Sequence, residues 1–351
     1  MAEDVPTRRR AVRMKDVADS AGVSTATVSL VLSGKAGGIR IPEETQRRVI
    51  DIAAQLGYQP NALAAGLRRQ TSDTIGLVSD LIATTPHAGA LVQGIQDALW
   101  HAGKVLIMMN TGGAMAAEQA AVDLMLSRQV DGLVYASMYH RLVEPPESAR
   151  RVPLILLDAR SEDLTLSSVA PDEEGGARAA VSHLIEAGHR RIAYLQDELP
   201  KPATIERMAG YIDTLTTAGI EVDPDLVVEA APEHTGGHEA ALRLLDRPDR
   251  PTAIFCFNDR MAAGAARAAR HSGLDVPGDI SIVGFDNQEL VAPLVEPPLT
   301  TVQLPHYEMG YWAGERMLAM IEAPEDTEPE QRRMECTLVT RSSVGPPPAG
   351  L

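Results

Sequence analysis

From Thr74 onward the sequence alternates short aliphatic, β-branched runs with helical stretches, and this restricts the fold more than any other feature. Strand-like runs fall at 75–78, 104–109, 132–135, 152–157, 168–169, 191–195, 226–229, 253–257, 280–284 and 300–302. Helical patterns lie between most of them, at 88–102, 118–127, 175–187, 205–218, 237–245 and 260–272. Strand, helix and strand in repeated succession imply parallel sheets with helices on both faces. There are more strands than one sheet comfortably holds, so two doubly wound, Rossmann-like lobes are expected. Apolar residues make up 44% of the 351 and aromatics only 3%. The cores are therefore expected to be built mainly from Ala, Val, Leu and Ile.

The first seventy residues read differently, as short helices. A helix at 14–20 leads through Ala21-Gly22-Val23 to Ser24, whose hydroxyl suits the free amides of a second helix running to Leu32. A third helix is expected to begin with Pro42 as its first residue. It carries Glu43 and Glu44 early and ends near Leu56-Gly57. After Tyr58-Gln59-Pro60, a further helix from Asn61 to about Arg69 puts Leu63 and Leu67 on one face. It has about nine residues, including Gly66, so alone it should be mostly unfolded.

Ala18, Val23, Val28 and Val31 are small or β-branched residues at spacings that pack two helices across a tight turn, which Gly22 permits. Thr25, Ala26, Ser29 and Leu30 are left on the outer face of the second helix. A helix with so short a polar face can enter a major groove roughly 12 Å wide. Charge agrees with this. The net charge is −16, yet residues 1–70 hold 11 Lys/Arg against 7 Asp/Glu, while the rest holds 21 against 41. A basic head on an acidic body suits DNA docking, because phosphate attraction is local and screened beyond about 10 Å.

The stretch DVADSAGVSTATVSLVLSG at 16–34 resembles the opening motif of the lactose/galactose repressor (LacI/GalR) family. Asp16, Val17, Ala18, Ala21, Gly22, Val23, Ser24, Thr27, Val28 and Ser29 match its D-V-A-x-x-A-G-V-S-x-x-T-V-S pattern. The resemblance implies that Thr25, Ala26 and Leu30 read bases and that Ser24, Thr27 and Ser29 hold phosphates. Leu30 departs from the arginine of many members, and reading by methyl contact is then expected. LGYQPNALAAGLRR at 56–69 is similar to the family's hinge, which assigns DNA contacts to Asn61, Ala64 and Leu67, with Leu67 as a minor-groove wedge.

The resemblance continues at SVAPDEEGGARAAVSHLIEAGHRRIAYL (168–195), at FCFNDRMAAGAARAARHSGLDVPGDISIVGFDN (255–287) and at PPLTTVQLP (297–305). It implies an all-α helix-turn-helix headpiece followed by an α/β periplasmic-binding-protein-like core of two lobes joined by three crossings. The expected divisions are a head at 1–59, a hinge at 60–72, a core at 73–344 and a disordered tail at 345–351. Within the core, the N-lobe takes about 73–168 and 303–325, and the C-lobe about 169–302 and 334–344. A ligand is expected between the lobes, outside the carboxyl ends of the strands. Carried over by resemblance, its shell is Asp158, Arg207, Asn258, Asp286 and Gln303. These groups suit the hydroxyls of a sugar or nucleoside, each of which donates and accepts. Two departures weaken the case for a stacked sugar ring. Thr85, Pro86, His87 and Ala88 stand where many members have N-P-F-F, with His87 able to hydrogen-bond instead. Pro232, Glu233 and His234 stand where many have an aromatic.

No G-x-G-x-x-G, Walker loop or G-x-S-x-G elbow occurs, so an enzyme on the same fold is the weaker reading. Gly236-Gly237 between His234 and His238 argue against a rigid helical metal face. Cys256 and Cys336 suggest neither a disulfide framework nor a metal site. No cofactor is expected. The start, MAEDVPTRRR, lacks the apolar stretch of a secretory signal, and no apolar run is long enough for a membrane, which favours a cytoplasmic protein. The expectation is a cytoplasmic homodimeric repressor on a pseudo-palindromic operator, controlled by a small polar effector. A regulator without an effector remains as the alternative, while the missing signal and the basic head weigh against an exported sugar-binding protein.

Overall fold

Three helices form the described part of the head: α1 (Met14–Ala21), α2 (Thr25–Leu32) and α3 (Glu43–Leu56). The turn after α1 closes at Gly22, whose φ of 67° is the left-handed conformation that a β-carbon disfavours. Ser24 caps α2 as expected, its Oγ accepting the Thr27 N–H at 3.1 Å. Pro42 precedes α3 as its cap instead of being its first residue. Its ψ of 139° is extended, while its carbonyl already accepts the Gln46 N–H. Val17, Ala18, Ala21, Val28, Val31, Val49 and Ala53 make one small buried core.

The computed structural model describes residues 12–32, 41–58, 71–81 and 88–348. The hinge positions Asn61, Ala64 and Leu67, and His87, lie outside these residues. The chain divides into two units at Ser72 and Asp73. Among the described residues, no helix is long and apolar enough to cross a membrane.

The second unit begins with β1 (Thr74–Ser79), α4 (Ala88–His101), β2 (Val105–Asn110), α5 (Met115–Ser127), β3 (Gly132–Leu142), β4 (Leu154–Arg160) and β5 (Ser167–Pro171). These strands and a late one, β11 (Gln331–Met334), form a six-stranded parallel sheet in the order β11-β5-β4-β3-β1-β2. Alternate residues serve opposite faces. Ile75, Leu77, Ile155 and Leu157 pack with Leu91, Ile95 and Leu99 of α4. Val78, Leu154 and Leu156 pack with Val122 and Met125 of α5. A sheet buried on both sides explains why these strands read as continuous apolar runs.

The C-lobe comprises α6 (Glu173–Glu186), β6 (Ile192–Asp197), α7 (Pro202–Thr217), β7 (Val227–Ala230), α8 (His234–Leu245), β8 (Ala253–Cys256), α9 (Asp259–His271), β9 (Ser281–Val283) and β10 (Thr301–Gln303). Its parallel sheet runs β7-β6-β8-β9, and β10 pairs antiparallel with β12 (Thr337–Val339). Between β10 and β11, α10 (His306–Glu322) returns to the N-lobe, adding Met309, Ala313 and Met317 to the face that α4 covers. The chain therefore crosses three times, after β5, after β10 and after β11.

Several details depart from the sequence reading. β5 runs to Pro171 and β11 joins it, so the N-lobe sheet takes residues on both sides of the expected divisions. The scarce aromatics are concentrated: all three phenylalanines, Phe255, Phe257 and Phe285, sit in the C-lobe core, where Tyr194 stacks on Phe255 at 4.8 Å. The tail expected to be disordered from Gly345 is held at its start. Gly345 N–H donates to Ser281 Oγ at 3.0 Å, and its carbonyl lies 2.9 Å from His189 Nε2. Gly236 and Gly237 lie inside α8, which begins three residues before the expected start at Gly237. A β-carbon on Gly237 would stand 2.3 Å from the Met261 carbonyl oxygen, so glycine here lets α8 and α9 approach.

Candidate DNA-reading helix and interlobe cleft

In α2, Val28 and Val31 are buried in the head core, and this orientation sends Ser24, Thr25 and Ala26 into solvent. Thr27, Ser29 and Leu30 are half-buried along the sides. The Ser24 and Thr27 hydroxyls lie 2.9 Å apart and hydrogen-bond to each other at the N-terminal end of the helix. Helix N-termini present free amide donors to anions. Arg13, Lys15, Arg47 and Arg48 are all exposed on the same small unit. The exposed surface of α2 is thus short and uncharged, and exposed cations lie elsewhere on the same small unit, the two kinds of group that duplex recognition draws on.

In the second unit the lobes meet along the carboxyl ends of their strands. Arg207 of α7 is buried at the centre. Its Nε donates to Glu173 Oε2 at 2.7 Å, its Nη1 donates to the Phe257 carbonyl, and its Nη2 lies 3.5 Å from Asp286 Oδ1. The guanidinium is also stacked against Phe285, 3.7 Å from the ring centre, and Phe257, at 4.4 Å. Burial alone would lower its pKa, but Glu173 and Asp286 more than offset this and raise it. Burial raises the pKa of Glu173 against the pull of Arg207.

Asp158 was expected at the end of its strand, but β4 continues past it to Arg160. Its φ of 50° is left-handed, and β3 bulges beside it, the pairing jumping from Ala136–Leu157 to Arg141–Ala159. Bulges of this kind re-aim side chains next to functional sites. Asp158 is 4% exposed, and its Oδ1 has no hydrogen-bond partner. Burial, and then Glu173, push its pKa well above the ordinary carboxylate range. Arg207, Asp80 and Asp286 also act on its charge, which sets it among groups from both lobes.

Arg207 and Asp286 are therefore brought together, with Asp158 in their field. Asn258 and Gln303 are engaged locally instead. Asn258 caps α9, its Oδ1 accepting the Met261 N–H at 2.9 Å and its Nδ2 donating to the Pro232 carbonyl at 3.0 Å. Gln303 accepts from Asn287 Nδ2 at 2.5 Å and donates to the Leu304 carbonyl at 2.8 Å.

The sequence reading missed Asp80, His140, Glu173, Glu206 and Asp259. Asp80, after β1, accepts from the Met138 N–H at 3.1 Å and pairs with Arg141. Asp259 is fully buried and accepts from Thr301 Oγ1 at 2.6 Å; burial, then Asp286, raise its pKa to about 7. Glu173 stands in an acidic first helical turn, which the helix dipole explains without any ligand, so nothing singled it out. A cavity of about 390 Å³ opens between Arg141, Leu142 and Arg160 of the N-lobe and Lys201, Ile205 and Glu206 of the C-lobe. Among the described residues, no group of three or more His, Cys, Asp or Glu is placed to hold a metal.

Comparison with known proteins agrees with both halves. The model for bacterial regulatory proteins of the lacI family matches residues 13–61, and that for the periplasmic binding protein-like domain matches 181–344. The HTH-type transcriptional repressor PurR of Vibrio atlanticus (strain LGP32) is 34% identical over 333 residues, covering 94% of this chain and 98% of the relative. The crystal structure of the Lac repressor dimer bound to operator and the anti-inducer ONPF superposes with a TM-score of 0.79 at 28% identity, covering 96% and 100% of the two chains. The complex of the transcriptional regulator CelR with cellobiose gives a TM-score of 0.67 at 30% identity, covering 95% and 99%. With a matching head, a matching core and relatives aligned over nearly its whole length, the chain belongs to the LacI family of bacterial regulatory proteins.

Proposed function

We propose that the protein is a homodimeric transcriptional repressor that binds a pseudo-palindromic operator and is controlled by a small polar effector, a sugar or nucleoside. The observation that carries this is α2: a capped helix whose apolar face is buried and whose Thr25 and Ala26 are exposed, in a chain aligned end to end with repressors. Thr25, Ala26 and Leu30 read base edges, while Ser24, Thr27 and Ser29 hold phosphates. Asn61, Ala64 and Leu67 act at the operator centre. Two heads are needed because one offers few phosphate contacts and little specificity. An edge strand with exposed Val105 and Met108, flanked by exposed Trp100 and Met115, supports a second copy covering that side of the N-lobe. A repressor of chromosomal promoters works in the cytoplasm.

The effector sits where Asp158, Arg207 and Asp286 converge, bordered by Asn258 and Gln303, and His87 adds a hydrogen bond. Its closure of the cleft is coupled to the heads by about 1–3 kcal/mol, which changes operator affinity about 5- to 150-fold. A second reading, DNA binding without any effector, is favoured by the internal pairing of Arg207 with Glu173. The unpartnered Asp158 oxygen argues the other way. Mobility shift against competitor DNA tests the function; binding no tighter than to random duplex overturns it.

A further inference from the structure

The charges around Arg207 do not balance. Asp80, Asp158, Glu173, Asp259 and Asp286 are within electrostatic reach of one another, either directly or through a shared neighbour. They face three guanidinium groups, and all three are already engaged, Arg341 by the Leu299 carbonyl and Asn287 Oδ1. Arg141 pairs with Asp80, and Arg207 is divided between Glu173 and Asp286. Arg207, buried at the centre, is therefore already neutralised by protein carboxylates and not free to take a phosphate or carboxylate. Among the described residues, the buried oxygens without partners include Oδ1 of Asp158 from the N-lobe and, from the C-lobe, Oγ1 of Thr204, Tyr194 OH and Oε1 of Gln196. Thr204 is 2% exposed and lies three residues before Arg207 on α7, on the same helical face. Buried acceptors without donors are costly, and a ligand that donates to them recovers that cost.

We propose that the effector of this cleft carries an amino group donated to Asp158 and is not phosphorylated, with Glu173 enforcing the choice by occupying Arg207. The inference deepens the function proposed above and rests on it. An amino group supplies two or three donors to a site rich in acceptors, whereas a phosphate brings only acceptors and negative charge. Glu173 is a positioning residue in this scheme: it holds the guanidinium between Phe257 and Phe285 and offsets its charge, so that Arg207 can border the ligand without drawing in an anion.

The test is a thermal-shift titration of the full chain without DNA, using compounds matched except at one group. Suitable sets are glucosamine, glucose and glucose 6-phosphate, and adenosine, inosine and adenosine monophosphate, with inorganic phosphate as the simple anion. The expected result is an amino-bearing compound that binds at least about tenfold more tightly than its hydroxyl or oxo counterpart, a difference of roughly 1.4 kcal/mol. Its phosphorylated counterpart gives no shift. Asp158→Asn removes the preference, and Glu173→Gln, by releasing Arg207, brings a response to inorganic phosphate that the parent chain lacks. Stabilisation by phosphorylated compounds, equal binding across a set, or no shift from any amino compound overturns the inference. The parent series decides the matter even if neither variant folds. A chain that grips its operator but prefers phosphate esters defeats this inference alone; one indifferent to every promoter fragment defeats the function beneath it.

Discussion

Glu206 and Arg333 bind each other across the lobe boundary: two guanidinium nitrogens of β11 reach one carboxylate of α7 at 2.5 and 2.9 Å. Arg160 adds a third contact from β4 at 3.4 Å. The next residue, Arg207, holds the centre of the cleft, so one turn of α7 carries both the ligand site and the tie between lobes. Breaking the tie with Arg333→Ala is expected to lower stability by about 1 kcal/mol, because Arg333 is partly exposed and solvent screens the pair. The sharper consequence is a looser cleft. Small-angle scattering of the ligand-free variant should give a larger radius of gyration than the parent, and an unchanged value would show that the pair does not hold the lobes together.

His140 predicts an acid-sensitive step. Its side chain is fully enclosed, neither ring nitrogen has a hydrogen-bond partner, and Glu206 Oε2 lies 3.7 Å from Nδ1. Burial drives its pKa down to about 4; Glu206 opposes this, while Arg333, Arg160 and Arg207 reinforce it. A folded value below the unfolded one of about 6.5 means that the neutral ring favours folding above pH 6.5. That contribution is lost as pH falls towards 4, by at most about 3 kcal/mol. Urea unfolding between pH 7.5 and 4.5 should show this slope, and His140→Leu should flatten it. An equally steep acid arm in the variant would assign the loss to other groups.

Leu30 is half-buried on the side of α2 that flanks Thr25 and Ala26. Replacing it with Arg supplies a bidentate donor, worth about 1–3 kcal/mol of discrimination for guanine over other bases. Selection from a randomised duplex library should then return half-sites with one added G·C pair. The same half-site for both chains would mean that residue 30 does not face the bases.

His189 fastens the C-terminal segment. Its Nδ1 lies 2.9 Å from Thr252 Oγ1, and its Nε2 lies 2.9 Å from both Ser281 Oγ and the Gly345 carbonyl. Burial lowers its pKa, so the ring is neutral at physiological pH. His189→Ala leaves buried partners unsatisfied and should cost about 2–4 kcal/mol. Hydrogen exchange should show the Gly345 amide newly exposed. Combining the substitution with truncation after Ser343 should cost less than the sum of the two, since both break the same network. Full additivity would separate the ring from the tail.

How much was legible in advance followed the range of the interactions. The cap at Ser24 and the turn at Gly22 are set by residues within a few positions, and both were readable. Parallel lobes were readable too, because strands buried on two faces leave apolar runs. The pairing of Arg207 with Glu173 was not, since the partners are 34 residues apart and only the crossing of α6 by α7 brings them together. Asp158 could be placed by resemblance, but its left-handed backbone and the bulge beside it arise from the mismatch between β3 and β4, which leaves no local pattern. The late strand β11 was overlooked because QRRM is polar and mostly exposed, an edge strand without the apolar signature of its neighbours.

The three crossings also bear on how the protein is made. The N-lobe sheet is incomplete without β11, and β10 waits for β12, so the N-lobe lacks a piece until translation passes residue 334 and the C-lobe until it passes 339. The three-helix head needs nothing beyond the first sixty residues. A ribosome therefore releases a finished DNA reader long before the sensor that governs it exists, and a message broken near its end would yield a head attached to two unfinished lobes.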